Sequence, residues 1–372
     1  RGIATENKVG SIKVGDNLFI NEETGKLNAI SVGPSLFYQH IVTVSKYDIP
    51  FEQHTTTELP DGTIIKGGSG DFTTITEALN FIENLDSSDY PRNSDNRWLI
   101  YIAPGVYKEN ITLLPFVSIK GYGKTVTILE PEDDTNKHIT MTTDTALFDL
   151  SVNFNNELDL LSKTIIQVNT NLGRETVATD DRNFTNNVLI KDLDFSISSV
   201  NSATLVDLVS GNLNFEDNLV NLSQDNFETG EDSEIYCFNL SGSTNLNILE
   251  GKFNFTVNHQ EFIFCNSHSS KVSIINTFVD VVENLRQSID INTNIIIKSL
   301  NSEVIVRNSQ LKNLSKNGKV FLLVDDSERS IFDIEDSDIT SLSITDGIMT
   351  LEASSAIAKT NIVNKINDKN GV

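Results

Sequence analysis

From residue 204 onward the chain repeats one pattern: an apolar run, a corner of Ser, Asn, Asp or Gly, an alternating apolar-polar run, and a second polar corner. Six segments set beneath one another show it: "TLVDLVSGNLNFEDNLVN" from 204, "IYCFNLSGSTNLNILEGKFNFTVN" from 235, "FIFCNSHSSKVSIINTFVDV" from 262, "IIIKSLNSEVIVRNSQLKN" from 295, "VFLLVDDSERSIFDIEDSDIT" from 320 and "IMTLEASSAIAKTNIVN" from 348. A period of about 25 to 33 residues is the mark of a solenoid. Runs such as Ile295-Ile296-Ile297 and Val304-Ile305-Val306 are β-branched, short and without a 3.6-residue period, so they predict strands and not packed helices. Polar corners follow because Ser, Asn, Asp and Gly tolerate left-handed backbone and satisfy local backbone groups with their side chains. Two or three strands per turn, apolar side chains alternating inward, describe an all-β fold, a parallel β-helix. The general sense of parallel crossovers makes it right-handed.

The same coils are legible upstream in "ALFDLSVNF" from 146 and "NVLIKDLDFSI" from 187. Polar excursions at 155–163, 173–186 and 223–234 interrupt them, and in a solenoid such insertions are expected on one edge, where binding surface is built. "GGSGDFTTITEALNFIENL" predicts an amphipathic helix over 73–85, opened by a capping box of Thr74 and Glu77, with Ile75, Ala78, Leu79, Ile82 and Leu85 on one face. A helix there would close the open end of the solenoid. Upstream, "VGSIKVGDNLFINEETGKLNAI" reads as two strands joined by a turn. The chain therefore divides into a β-hairpin module at 1–30, linker strands at 31–60 and the β-helix at 61–372.

Composition narrows the function. With 52 acidic against 28 basic residues, the net charge of -24 repels nucleic-acid phosphate and anionic membrane surface. No segment approaches the roughly 20 apolar residues of a membrane-spanning helix. A start at Arg1 suggests processing or a fragment. Cys237 and Cys265 have no zinc-ligand spacing and read as small core residues, a disulfide between them being the alternative. His40 and His54, within "FYQHIVTV" and "YDIPFEQH", read as ordinary polar residues and not metal ligands. Asn-x-Ser/Thr triplets, for example at Asn110 and Asn254, arise easily in so Asn-rich a chain and do not establish glycosylation. No catalytic, metal or cofactor residue is assigned.

Residues 67 to 130 resemble the amino-terminal portion of pectin methylesterases and related pectin-lyase-like proteins. The likeness rests on "GSGDFTTITEAL", on "IYIAPGVYKENI", which carries the G-x-Y-x-E signature at Gly105, Tyr107 and Glu109, and on "VSIKGYGKTVTIL". It covers about 65 of the 372 residues. It implies a pectin-lyase-like fold in which these three residues organise the junction of cap and first coil; a place for Glu109 in a saccharide groove is the alternative. The family's catalytic aspartates, glutamine and arginine are carried by motifs of the type Q-D-T, D-F-I-F-G and G-R-P-W. Here Q-D-T is missing, "EFIFCN" places Glu261 and Cys265 where aspartate and glycine belong, and "LGRE" at 172–175 comes in the wrong order. One displaced carboxylate cannot run an acyl transfer that needs nucleophile, acid and oxyanion donor together.

The amino-terminal pattern V-G-x-x-L-x-I-x-x-x-x-G-x-L-x-A is similar to short repeats in tail fibres and other virion proteins of bacteriophages and large DNA viruses. That resemblance implies a virion or extracellular structural protein of the tail-fibre or tailspike type: a homotrimer that contacts other virion proteins and a cell-surface polysaccharide, without nucleic acid or membrane insertion. Two alternatives stay open. A polysaccharide-degrading enzyme would need a carboxylate pair, for which Asp325, Asp326, Glu335, Asp336 and Asp338 are candidates that acidic coil corners also explain. A secreted adhesin would need only the solenoid.

Overall fold

The computed structural model describes residues 18–20, 27–29, 38–46, 55–58, 64–67, 71–85, 91–132, 137–155, 163–177, 183–198, 203–223, 234–257, 261–283, 294–315, 318–325, 331–341, 349–353 and 359–363. It forms two units, Arg1–Tyr38 and Gln39–Val372. In the first, Leu18–Ile20 and Leu27–Ala29 pair antiparallel, with Phe19 opposite Asn28. This is the hairpin read from the sequence.

The second unit is a parallel β-helix of three sheets, which the chain visits in turn. Sheet I has eleven strands running from His40–Val44 through Trp98–Ile102 to Lys359–Val363. Sheet II has nine, from Gly105–Lys108 to Asp338–Ser341, and sheet III nine, from Ile111–Thr112 to Met349–Ala353. Each coil thus carries three strands, each paired in parallel with its counterparts in neighbouring coils. His40–Val44 falls inside the segment read as linker strands, yet it forms the first rung of sheet I, paired residue for residue with Trp98–Ile102. Val42 and Val44 face inward there, fully buried. An antiparallel hairpin of Thr55–Glu58 and Ile64–Gly67 precedes the helix.

That helix spans Ile75–Asn84 and has the expected capping box: the Thr74 side chain accepts from the Glu77 backbone, and Glu77 reaches back to Thr74. Ile75, Ala78, Leu79 and Ile82 are buried in the core that fills the coils. Inside, phenylalanines stack from rung to rung, with ring centroids 5.8 Å apart for Phe195 and Phe215 and 5.8 Å for Phe215 and Phe253, while Phe264 meets Phe253 edge to face at 4.9 Å. Such pairs add about 0.5–1.5 kcal/mol each beyond their burial. Cys237 and Cys265 lie in the same core as free thiols. Burial pushes Cys237 well above its usual pKa and Cys265 up to about 12, as expected of small core residues.

The three corners differ. From Asp149 onward every I-to-II corner among the described residues is two residues long, and its first residue is left-handed: Asp149, Asp192, Asp217, Glu250, Asn276, Asn308 and Asp336, all with φ between 48° and 56°. Where the second residue is Asn or Ser, its side chain holds the backbone of the neighbouring coil. Asn218 accepts from Leu193 N at 2.8 Å and donates to Ile190 O at 2.9 Å, while Ser309 Oγ accepts from Thr277 N and Ser337 Oγ from Ser309 N. The insertions at 155–163 and 223–234 join sheet II to sheet III, whereas 173–186 joins sheet III to sheet I. They occupy two edges and not the single edge expected, and both edges border sheet III.

Sheet III also departs from strict alternation. In six successive strands two adjacent apolar residues both enter the core: Ile165-Ile166, Leu205-Val206, Cys237-Phe238, Phe264-Cys265, Ile296-Ile297 and Val320-Phe321. The first of each pair drops out of the strand register. The strand bends there, and the residues on either side of the pair are turned outward.

Candidate functional site

The signature residues build the junction between cap and first coil. Glu109 receives Ile75 N at 3.0 Å, Thr76 N at 2.9 Å and Thr76 Oγ1 at 2.8 Å. Those backbone groups belong to the first turn of the helix, whose N–H donors have no partner within the helix and whose dipole favours an anion. Tyr107, 1% exposed, donates its hydroxyl to Ala103 O at 2.9 Å. A Cβ on Gly105 would meet that ring at 3.3 Å. Beneath Glu109 lies His138, 2% exposed, whose pKa burial lowers to about 4; the Glu109 backbone beside it opposes the shift only in part.

A second cluster fixes the excursion after residue 169. Arg97 and Asp144 form a buried ion pair at 3.3 Å, and Asp144, itself left-handed, also accepts from Thr143 Oγ1 and from Thr185 N and Oγ1. Arg97 lies over the ring of Phe116, Phe116 stacks on Phe184 at 5.6 Å, and Arg174 covers Phe184 at 4.9 Å. Arg174, the arginine of "LGRE", is further held by Thr170 O and Asn186 Oδ1. It serves this stack.

The outward side of sheet III carries a polar ladder. Lys137 Nζ donates to Gln167 Oε1 at 2.7 Å, Gln167 Nε2 to Asp207 Oδ2 at 3.3 Å, Asn239 Nδ2 to Asp207 Oδ1 at 3.2 Å, and Asn266 Nδ2 to Asn239 Oδ1 at 2.9 Å. Lys298 holds the next rung, in register with Asn266. Beside the ladder Ile263, Ile295 and Leu322 form an apolar cluster separate from the main core, with Tyr236 packed against it. An amide offers two N–H donors and two lone pairs, and the ladder occupies one donor on each of Asn239 and Asn266. The amides suit hydroxyl groups, which both donate and accept, while Ile263, Ile295 and Leu322 are themselves buried and anchor the strands beneath them.

A shallow hollow of about 400 Å³ lies at the III-to-I corner, between Ser243 and Ile331. Its polar groups are satisfied locally: Thr244 Oγ1 bonds Ser270 Oγ at 3.0 Å, Ser302 Oγ accepts from Ser270 N at 3.1 Å, and Lys271 pairs with Glu303 at 3.1 Å.

The remaining residues read from the sequence are dispersed. Asp336 is a corner residue, Glu335 pairs with Arg307 at 3.5 Å, and Asp338 accepts from Gln310 Nε2 at 3.2 Å. Asp326, His54 and the side chains of Asp325 and Glu261 lie outside the described residues. His40 stacks on Trp98 at 4.4 Å and bonds Asn96 Oδ1 at 2.7 Å. Asn110 Nδ2 donates to Glu132 O, and Asn254 Nδ2 to Asn221 Oδ1. The ladder itself was missed. Its available signal is the polar residue that follows each adjacent apolar pair: "IIQ", "LVD", "CFN", "FCN", "IIK".

No protein-family model matches the chain, and no curated protein matches it by sequence. Among solved structures it is similar to the pectin methylesterase from carrot, at 12% identity over 88% of this chain and 91% of that one, with a TM-score of 0.39. It is also similar to a pectin methylesterase from Erwinia chrysanthemi, at 11% identity over 85% and 81%, TM-score 0.34. The enzymatically active domain of bacteriophage CBA120 tailspike protein 2 matches at 13% identity over 70% of this chain and 42% of that one, TM-score 0.36. The fold stands on the chain's own three parallel sheets: it is a parallel β-helix, and they fit the right-handed, pectin-lyase-like type.

Proposed function

We propose that this chain is a virion appendage protein of the tail-fibre or spike type whose β-helix recognises a host-surface glycan on the outward face of sheet III. The ladder from Gln167 to Lys298 carries this reading. Its groups recur at the rung spacing of about 4.8 Å, which suits a polymer with a repeating set of hydroxyls. Both insertion-bearing corners border this sheet, where a scaffold of this kind displays variable contacts. The Leu18–Ile20 and Leu27–Ala29 hairpin supports the appendage part of the reading, since a two-stranded unit of that size is marginal alone and suits attachment to a larger assembly. Within the ladder Asp207 is the carboxylate and its neighbours are amides, an arrangement made for holding a sugar.

The test is binding of the full chain to immobilised surface polysaccharides, with Asn239→Ala and Asn266→Ala as site variants. A loss of tenfold or more in both variants, with melting unchanged, is expected. Unaltered binding in both would discard the site. Release of reducing ends that disappears in Asp207→Asn would replace recognition by hydrolysis, and a monomer in light scattering at micromolar concentration would remove the expected trimer.

A further inference from the structure

We infer that the glycan held on sheet III is an uncharged linear polysaccharide lying along the helix axis, an inference that rests on the glycan-recognition reading above. The direction follows from the ladder. Gln167, Asp207, Asn239, Asn266 and Lys298 occupy successive rungs of one sheet at matching register positions. Four intervals of about 4.8 Å give a line of roughly 19 Å parallel to the axis. A ligand crossing the coils would meet one of these groups, whereas a ligand along the axis meets all of them.

The charge class follows from what stands on that line. A polyanionic chain is held most strongly where cations stand opposite its charges. The middle of the ladder offers none: Asp207 is anionic, and the two rungs after it are the amides Asn239 and Asn266. Its cations, Lys137 and Lys298, stand at the two ends, and Lys137 donates to Gln167. Lys298 is two rungs from Asn239, about 10 Å, comparable with the screening length of about 8 Å at physiological salt. Asp207 is one rung from Asn239 and Lys298 one rung from Asn266, so the amide pair stands between one charge of each sign, which balance. Two of the II-to-III connections are acidic, with Glu157 and Asp159 in 156–162 and Asp225, Glu228, Glu231 and Asp232 in 224–233, while others that border the sheet are of mixed sign, with Arg286 and Asp290 in 284–293. The chain as a whole, at -24, sets a net negative field. Amides bond neutral hydroxyls at no such electrostatic cost.

Three sets of polysaccharide discriminate: neutral (glucan, galactan, mannan), anionic (polygalacturonate, alginate) and amine-bearing (chitosan), each titrated against the full chain at 50 and 500 mM NaCl. Binding is expected within the neutral set, changing less than twofold between the two salts and strengthening with oligosaccharide length up to the ladder's span. Asp207→Asn should then raise the affinity for anionic chains about tenfold relative to the parent. Preferred binding of an anionic or amine-bearing chain, weakened by salt and lost in Asn239→Ala, would overturn the charge class and leave the site standing. Binding unaffected by Asn239→Ala and Asn266→Ala, or none to any set, would overturn the site and this inference with it.

Discussion

The Glu109 carboxylate caps a helix more than thirty residues away, accepting the backbone N–H of Thr76 at 2.9 Å and that of Ile75 at 3.0 Å. It therefore fixes the cap on the first coil.

Glu109→Ala leaves two first-turn donors without that acceptor and should destabilise the β-helix by about 1–2 kcal/mol, with Glu109→Gln retaining part of the difference. Urea unfolding followed by tryptophan fluorescence, through Trp98 on the adjacent strand, measures this. Glycan binding should be unchanged, and a loss of binding without a loss of stability would return Glu109 to the saccharide groove.

His138 makes the same junction sensitive to acid. Unfolded, its imidazole titrates near 6.5; folded, burial holds it at about 4, against a smaller opposing effect of the Glu109 backbone. The folded state binds fewer protons between these values, so the contribution is complete above pH 6.5 and is lost as pH falls toward 4. The expected loss is about 2 kcal/mol at pH 5. His138→Leu should flatten the difference between urea midpoints at pH 7.5 and pH 5; an equal difference in parent and variant refutes the assignment.

The Arg97–Asp144 pair is buried on both sides, at 6% and 0% side-chain exposure. Removing one partner strands the other charge. Arg97→Met and Asp144→Ala should each cost about 3–5 kcal/mol, and the double variant less than their sum. A double-mutant cycle in chemical denaturation checks this.

At the I-to-II corners a side chain is held left-handed at a cost of about 1–2 kcal/mol for most residues, less for Asn and Asp. Glu250, at φ 56°, is neither of these. Glu250→Gly should be neutral or stabilising by up to about 1 kcal/mol, and Glu250→Val destabilising by about 1–2 kcal/mol. Paired unfolding midpoints decide it.

The coils and the cap were legible in the sequence because each is decided locally: β-branched runs against polar corners in the one case, Thr74 three residues before Glu77 in the other. The first rung at His40–Val44 was not, because the hairpin and the helix separate it from its partner strand at Trp98. The ladder escaped for a related reason. Gln167, Asp207, Asn239 and Asn266 are separated by 40, 32 and 27 residues, since insertions of unequal length fall between rungs that are neighbours in space. A fixed period cannot find them; the bend marked by two inward residues can. Glu109 was placed at the right junction, but its bonds to Ile75 and Thr76 depend on how the chain returns to the helix after the first coil.

The two-residue corners also limit how this scaffold can diversify. One residue added between Asp192 and Asp194 would throw the following strand out of phase, exchanging its core-facing and solvent-facing sides. The other two corners already absorb segments of very different length without disturbing the stack. Lineages of such a protein are free to remodel the borders of sheet III while the opposite ridge keeps its length, so specificity can drift around a frame that does not.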